Sequence, residues 1–159
     1  MDHGNKKMYL GHAVIGNQRQ DIKARMHYYF QCTGRTEVET FGTFTTLKLS
    51  GSKLRITNTE NAGFEGRTIE FTIDDSLKIL ESNYYEWYDV INNDRIENYE
   101  VLECGINLNR NPFKSKRQGL IGDYFIKVKH VTDFKWSWKE KVDIFVITGR
   151  FKCNKNFVQ

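Results

Sequence analysis

The chain has 159 residues, one proline, 14 % aromatic residues and a formal net charge of +4. This composition excludes a disordered or collagenous chain, and the length suits one domain with a single core over residues 1–159. No apolar run approaches the ~20 residues of a transmembrane helix. We therefore expect no integral membrane segment. The first residues also show no apolar stretch of the kind found in a signal peptide.

Period-two alternation of apolar and polar residues predicts the first strands. Residues 26–30 alternate, and a second run at 39–49 is rich in threonine and phenylalanine. Two shorter strands at 54–58 and 68–73 form the clearest predicted hairpin, joined by a loop at 59–67 that contains asparagine and glycine.

The rest of the chain also favours strands. Residues 77–91 are crowded with tyrosine, tryptophan and valine, and 96–108 alternate weakly. A polar loop at 109–119 holds the single proline, and strands at 121–129 and 142–153 follow. Without a sustained helical period, this pattern predicts an all-β fold, either a single antiparallel β-sandwich or an open barrel of roughly eight short strands.

The three cysteines, Cys32, Cys104 and Cys153, are widely spaced, and the four histidines are scattered. A zinc or iron–sulfur site needs clustered ligands, so we expect no metal and no cofactor. The cysteines are expected to be small buried side chains. Cys104 and Cys153 are the pair most able to form a disulfide if the protein is exported.

Residues 126–139 alternate most sharply, with one apolar, aromatic face and one basic face. Such a strand could hold a phosphate backbone or stack bases. It is also the ordinary pattern of a half-buried strand whose lysines discourage edge pairing, and we favour that interpretation. A ligand surface that includes Tyr124, Trp136 or Trp138 is the alternative. A net charge of +4 is too small to indicate a nucleic-acid partner, so we do not expect one.

Charge is distributed unevenly. Residues 60–102 contain 11 acidic and 3 basic side chains, a net charge of −8, whereas residues 110–141 carry 9 basic and 3 acidic ones, a net charge of +6. If these segments form separate surfaces, a basic loop steers an acidic partner. That loop contains Arg110, Lys114, Lys116 and Arg117. If the segments pair across strands, the charges neutralise one another.

Signals for catalysis are weak. His130-Val131-Thr132 has the His-x-Thr form of two-histidine phosphoesterases, but that chemistry needs a second such element, which the chain lacks. There is no nucleophile elbow and no glycine-rich phosphate loop before a helix. A cleft pair formed by Glu81 with Glu86 or Asp89 is less expected than a solvated acidic face. These observations favour a protein that is not an enzyme.

Four short motifs lie in the C-terminal part of the chain. They are Lys53-Leu-Arg-Ile-Thr-Asn58, Arg67-Thr-Ile-Glu-Phe-Thr-Ile73, the loop and strand at 114–129, and Ile147-Thr148-Gly149-Arg150-Phe151. Together they resemble small β domains of unknown function in exported lipoproteins of Bacteroidetes. The resemblance implies a cell-envelope or secreted binding domain with no catalytic residue. The chain departs from it in lacking a lipobox cysteine and in its acidic segment at 84–103.

Three functions follow as expectations. The leading one is a non-enzymatic β-sandwich that engages a protein or a glycan through exposed aromatic side chains. The candidate residues are Tyr84, Tyr85, Trp87, Tyr88, Trp136 and Trp138. The second is a small inhibitor or phage-type protein that acts through its charged surfaces on a host protein. The third is a barrel that encloses a small ligand, with hydrolytic chemistry at His130.

Overall fold

The computed structural model describes residues 8–14, 25–32, 42–89, 95–114, 119–134 and 140–153. Those ranges form nine strands: β1 (Met8–Val14), β2 (Arg25–Cys32), β3 (Gly42–Ser50), β4 (Lys53–Asn61), β5 (Glu65–Asp74), β6 (Ile79–Tyr88), β7 (Arg95–Leu108), β8 (Leu120–Phe134) and β9 (Glu140–Cys153). The described residues contain no helix, and hence no helical segment able to cross a bilayer. The all-β prediction is confirmed.

Most of the strands fall into two antiparallel sheets. One has the order β3-β4-β5-β6, and the other has the order β7-β8-β9 with β1 beside β7. Strand β2 lies between the sheets in the strand order and pairs in parallel with both β9 and β3. The expectation of an entirely antiparallel arrangement is therefore wrong at β2. No ladder joins β6 back to β1 among these strands, so the described sheet is not a closed barrel.

The predicted hairpin at 54–73 is present, but its strands are longer than the sequence indicated. Strand β4 continues to Asn61 and β5 begins at Glu65, so residues 62–64 alone connect them. The loop predicted at 59–67 is wrong because most of its polar residues pair across the hairpin. Glu60 lies opposite Arg67, and their side chains form an ion pair at 2.8 Å.

The second sheet is built from long strands. Strands β7, β8 and β9 contain 14, 15 and 14 residues, and β8 pairs with both of its neighbours along nearly its whole length. The alternation predicted from residue 126 onward is confirmed as far as Phe134, since Ile126, Val128 and Thr132 are buried. Residues 135–139 lie outside the described residues.

The core lies where the two sheets meet. Leu54, Ile56, Ile69, Phe71 and Ile73 from the first sheet are at most 1 % exposed. Partners in the second sheet include Tyr124, Ile126, Ile147 and Phe151. The rings of Phe71 and Tyr124 lie 5.6 Å apart. Each such aliphatic or aromatic side chain contributes roughly 1.5–3 kcal/mol on burial, so these contacts hold the sheets together.

The cysteine expectation requires a correction. Cys104 forms no disulfide and is fully buried, whereas Cys153 is disulfide-bonded. A bridge between Cys104 and Cys153 is therefore wrong. The parallel ladder between β2 and β9 pairs Gln31 with Lys152, and the next residues along the two strands are Cys32 and Cys153. Which cysteines can form a disulfide depends on the register between strands that are distant in sequence. The spacing of the cysteines along the chain does not give that register.

Candidate functional site

One carboxylate gathers three tyrosine hydroxyls where the two sheets approach each other. Glu86 on β6 accepts hydrogen bonds from Tyr84, from Tyr88 at 2.5 Å and from Tyr99 at 3.1 Å. Tyr84, Glu86 and Tyr88 share a face because side chains alternate along a strand. Tyr99 arrives from β7 in the other sheet. We call these four residues the Glu86 cluster.

The electrostatics of the Glu86 cluster keep the carboxylate charged and the phenols neutral. Burial by itself raises the pKa of Glu86, but the three tyrosine hydrogen bonds and the charge of Arg67 outweigh it and lower that pKa below its usual range. Burial and the nearby Glu86 charge raise the pKa of Tyr88 to about 12. The same two causes raise the pKa of Tyr84 and Tyr99 well above the usual range. The hydroxyls therefore act as hydrogen-bond donors to Glu86.

A second polar group continues from the cluster into β8. The rings of Tyr99 and His130 are stacked, with centroids 4.6 Å apart and planes 10° apart. His130 Nε2 contacts Glu97 Oε2, and the same oxygen accepts a hydrogen bond from Thr132 Oγ1 at 3.0 Å. His130 is thus held between a ring and a carboxylate, which is how a positioned structural histidine is satisfied.

A small acidic cleft lies beside the cluster. It is lined by Glu60, Ala62, Glu65, Gly66, Arg67, Glu86 and Tyr88. Its free volume is about 30 Å³, far below the 300–1,000 Å³ typical of small-molecule sites. The described residues contain no group of His, Cys, Asp and Glu side chains that could hold a metal ion. His130 does not line this cleft. The cleft has room for a side-chain tip or a water molecule, but not for a bound metabolite.

Exposed aromatic side chains surround this end of the β5–β6 hairpin. Phe64 in the turn is 78 % exposed, and Tyr85 and Tyr88 are each 45 % exposed. Trp87 is half-buried because its indole lies over Gly66, where a Cβ atom would overlap the ring. Tyr85 and Trp87 alternate with Tyr88, so the aromatic groups project from both faces of the strand. We call Phe64, Tyr85, Trp87 and Tyr88 the aromatic edge.

The part of the first sheet that carries the aromatic edge differs in charge from the second sheet. Acidic residues of β7 face basic residues of β8. The side chains of Glu100 and Lys129 approach to 4.0 Å, and Glu103 lies opposite Lys127 in the ladder. Cross-strand neutralisation, one of the two expectations, is confirmed there. Residues 60–89 instead contain 8 acidic and 2 basic side chains, a net charge of −6. The acidic surface is thus concentrated in the β4-β5-β6 part of the first sheet.

The structure distributes the predicted site residues over several places. Tyr85, Trp87 and Tyr88 lie on the aromatic edge, but Tyr84 is only 5 % exposed and packs on Tyr99 and Phe145, so its expected exposure is wrong. Tyr124 is also buried. Trp136, Trp138, Lys116 and Arg117 lie outside the described residues.

The basic loop does not join the aromatic edge. Arg110 is half-buried and Lys114 is exposed. The side chain of Asn111, in the same loop, donates a hydrogen bond to the backbone carbonyl of Asp75. Asp75 follows the last residue of β5, whereas Phe64 precedes the first. Ten residues of β5 separate the two ends, a distance of roughly 30 Å in an extended strand. The described members of the two predicted groups of binding residues therefore lie on separate surfaces.

Phe64 was not among the predicted site residues. It is a single apolar residue between Gly63 and Glu65, so no periodicity marks it. The sequence does offer one signal for its exposure. Turns lie on the surface, so a large apolar residue in a glycine-containing turn is expected to be exposed.

Comparison with known proteins provides no family for this chain: no protein-family model, no curated protein and no solved structure matches it.

Proposed function

We propose that this domain is a β-sandwich that binds a protein partner through the aromatic edge. The two sheets are taken as its layers because Phe71 and Tyr124, and Tyr84 and Phe145, pack between them. The observation that supports binding most strongly is the 78 % exposure of Phe64 beside two half-exposed tyrosines. Tyrosine and phenylalanine supply much of the contact energy in protein interfaces, and clustered exposed apolar groups mark such sites.

A protein fits the aromatic edge better than a glycan does. A sugar ring stacks on a flat platform, which requires aromatic groups on one face of a sheet. Here the rings project from both faces of β6 and from the adjoining turn, so they wrap around an edge. The Glu86 cluster beneath them holds Tyr88 in place, which lowers the entropy lost when a partner binds.

The disulfide of Cys153 supports an oxidising compartment for the protein. Disulfides persist in secreted and envelope proteins and are rare in the cytosol. A location in the cell envelope or outside the cell agrees with the resemblance to exported lipoprotein domains. We therefore include this location in the proposal. The proposal does not include hydrolysis at His130, because its ring stacks on Tyr99 and its Nε2 atom contacts Glu97.

Paired surface variants test the proposal. The binding variant carries Phe64→Ser, Tyr85→Ser and Tyr88→Ser. The control carries Ile121→Ser and Val142→Ser, which remove side chains that are 37 % and 38 % exposed on the other sheet. Wild type and both variants are immobilised and exposed to a cell-envelope extract, and retained proteins are compared by mass spectrometry.

Proteins retained by wild type and by the control but lost from the binding variant support the proposal. Retention that is equal for all three chains contradicts it. If purified polysaccharides are retained instead, and only the binding variant loses them, the partner is a glycan and the protein proposal is wrong.

A further inference from the structure

The basic loop after β7 belongs to a larger group of connections at the end of the molecule opposite the aromatic edge. Strand β4 begins opposite the last residue of β5, and β8 begins opposite the last residue of β9. The side chain of Asn111 donates a hydrogen bond to the backbone carbonyl of Asp75, which places the loop after β7 beside the β5–β6 turn. We call this part of the molecule the basic end and define it as residues 47–56, 71–82, 105–114, 119–124 and 149–153.

The basic end has a surplus of cations. It contains 8 basic and 4 acidic side chains, a net charge of +4, whereas residues 60–70 and 83–89 around the aromatic edge contain 5 acidic and 1 basic, a net charge of −4. Six of its basic side chains are exposed and form no ion pair with a carboxylate of the described residues. They are Lys48, Lys53, Arg55, Lys78, Lys114 and Lys152.

Two acids of the basic end are already engaged. Asp74 accepts hydrogen bonds at its Oδ1 atom from the Ser76 hydroxyl at 2.6 Å and from the backbone amide of Lys78 at 2.8 Å. Asp123 forms an ion pair with Arg150 at 2.7 Å. These contacts satisfy the two carboxylates locally and leave the six exposed cations facing solvent.

Two of the exposed cations face each other across a ladder. Lys48 on β3 lies directly opposite Arg55 on β4, and both project from the outer face because their strand neighbours pack into the core. Facing like charges destabilise a sheet. Farther along the same sheet Arg67 faces Glu60 and pairs with it. A charge conflict that the fold does not relieve indicates residues kept for a ligand outside the chain.

The position of the cations favours a planar anionic ligand. Lys53 adjoins the β3–β4 turn, Lys78 lies in the β5–β6 turn, and Lys114 lies in the loop after β7. A single phosphate group would meet one of these connections, whereas a flat surface laid across this end meets all three together.

We infer that the basic end binds the anionic headgroups of a lipid membrane surface. Each lysine or arginine near such a surface contributes about fivefold in affinity at moderate salt, so several together give measurable attachment. The aromatic edge lies at the other end of the ten-residue strand β5 and then points away from the bilayer, where it is accessible to a protein. This inference goes beyond the proposed function and does not depend on it.

Co-sedimentation with lipid vesicles tests the inference on the whole chain. One vesicle preparation is phosphatidylcholine alone, and the other contains about one third phosphatidylglycerol, which supplies the negative charge. We expect binding to the anionic vesicles only, and we expect it to weaken as the salt concentration is raised from about 0.05 M to 0.5 M. Duplex DNA in the same buffer is the competing polyanion.

Two variants with the same charge change locate the contact. Lys48→Glu places a carboxylate opposite Arg55, so it removes the facing like charges and is expected to leave the free energy of unfolding unchanged or higher. We expect it to weaken binding to anionic vesicles by about tenfold or more. Lys141→Glu makes the same change in β9 at the far end of the second sheet, and we expect an effect below about twofold.

Binding that requires phosphatidylglycerol and is lost in Lys48→Glu, but not in Lys141→Glu, supports the inference. It is overturned by absence of binding to anionic vesicles, by equal binding to neutral ones, or by equal effects of the two variants. Binding to duplex DNA as tight as to the vesicles also overturns it, because the basic end is then a nucleic-acid surface. The variant with Phe64→Ser, Tyr85→Ser and Tyr88→Ser should bind vesicles like wild type, and loss of binding there would place the membrane contact at the aromatic edge and contradict the inference.

Discussion

Tyr99 donates a hydrogen bond to Glu86 at 3.1 Å and thereby joins the second sheet to the edge strand of the first. The same tyrosine ring stacks on His130, which is itself held by Glu97. A single residue on β7 therefore connects the polar group on β8 with the carboxylate beneath the aromatic edge. We expect this connection to help hold β6 against the second sheet.

Replacing Tyr99 by phenylalanine tests that dependence. The ring remains for stacking, but Glu86 loses one donor at a partly buried site. We expect the free energy of unfolding to fall by about 1–2 kcal/mol in chemical denaturation. Tyr85→Phe removes a hydroxyl from an exposed ring and serves as the control, with an expected change below about 0.5 kcal/mol. Equal effects of the two substitutions would contradict the role given to Tyr99.

The lowered pKa of Glu86 predicts a pH dependence of stability. A carboxyl whose pKa is lower in the folded state stabilises the protein above its unfolded pKa, and this contribution is lost as pH falls through the folded pKa. Between about pH 7 and pH 3 the free energy of unfolding should therefore decrease less in Glu86→Gln than in wild type. Wild type and Glu86→Gln with parallel pH profiles would show that Glu86 does not carry this term.

Gly149 is expected to tolerate no side chain. A Cβ atom there would overlap the ring and hydroxyl of Tyr124, which is buried against Phe71. We expect Gly149→Ala to lower the free energy of unfolding by about 1–3 kcal/mol. The control is Gly51→Asn in the β3–β4 turn, where φ is 58° and nothing lies within 4 Å. Asparagine adopts that conformation readily, so a small change is expected there.

The cysteines predict a definite thiol count. In the native, non-reduced protein Cys104 is buried, so a water-soluble thiol reagent should label it only after unfolding. One thiol should become reactive in denaturant without reductant, and all three after reduction. Three reactive thiols before reduction would contradict the disulfide of Cys153 and remove that argument for an oxidising compartment.

The sequence predicted the strands because period-two alternation is local. It could not assign which of Tyr84 and Tyr85 is buried, because that depends on the phase at which β6 meets Ile69 and Phe71 of β5. The Glu86 cluster could not be predicted from the sequence for a related reason. Tyr99 is 13 residues from Glu86 and belongs to the other sheet, so no local pattern links them. The pairing at Cys153 likewise depends on a parallel ladder between distant strands.

The aromatic edge is the centre of this account, and site-specific photocrosslinking tests it most directly. The photoreactive amino acid p-benzoylphenylalanine replaces Tyr85 in one protein and Val142 in another, both partly exposed positions of comparable accessibility. After irradiation in a cell-envelope extract, we expect a discrete crosslinked partner from the Tyr85 position and none from the Val142 position. Crosslinks from Val142 alone, or the same partners from both positions, would contradict binding at the aromatic edge.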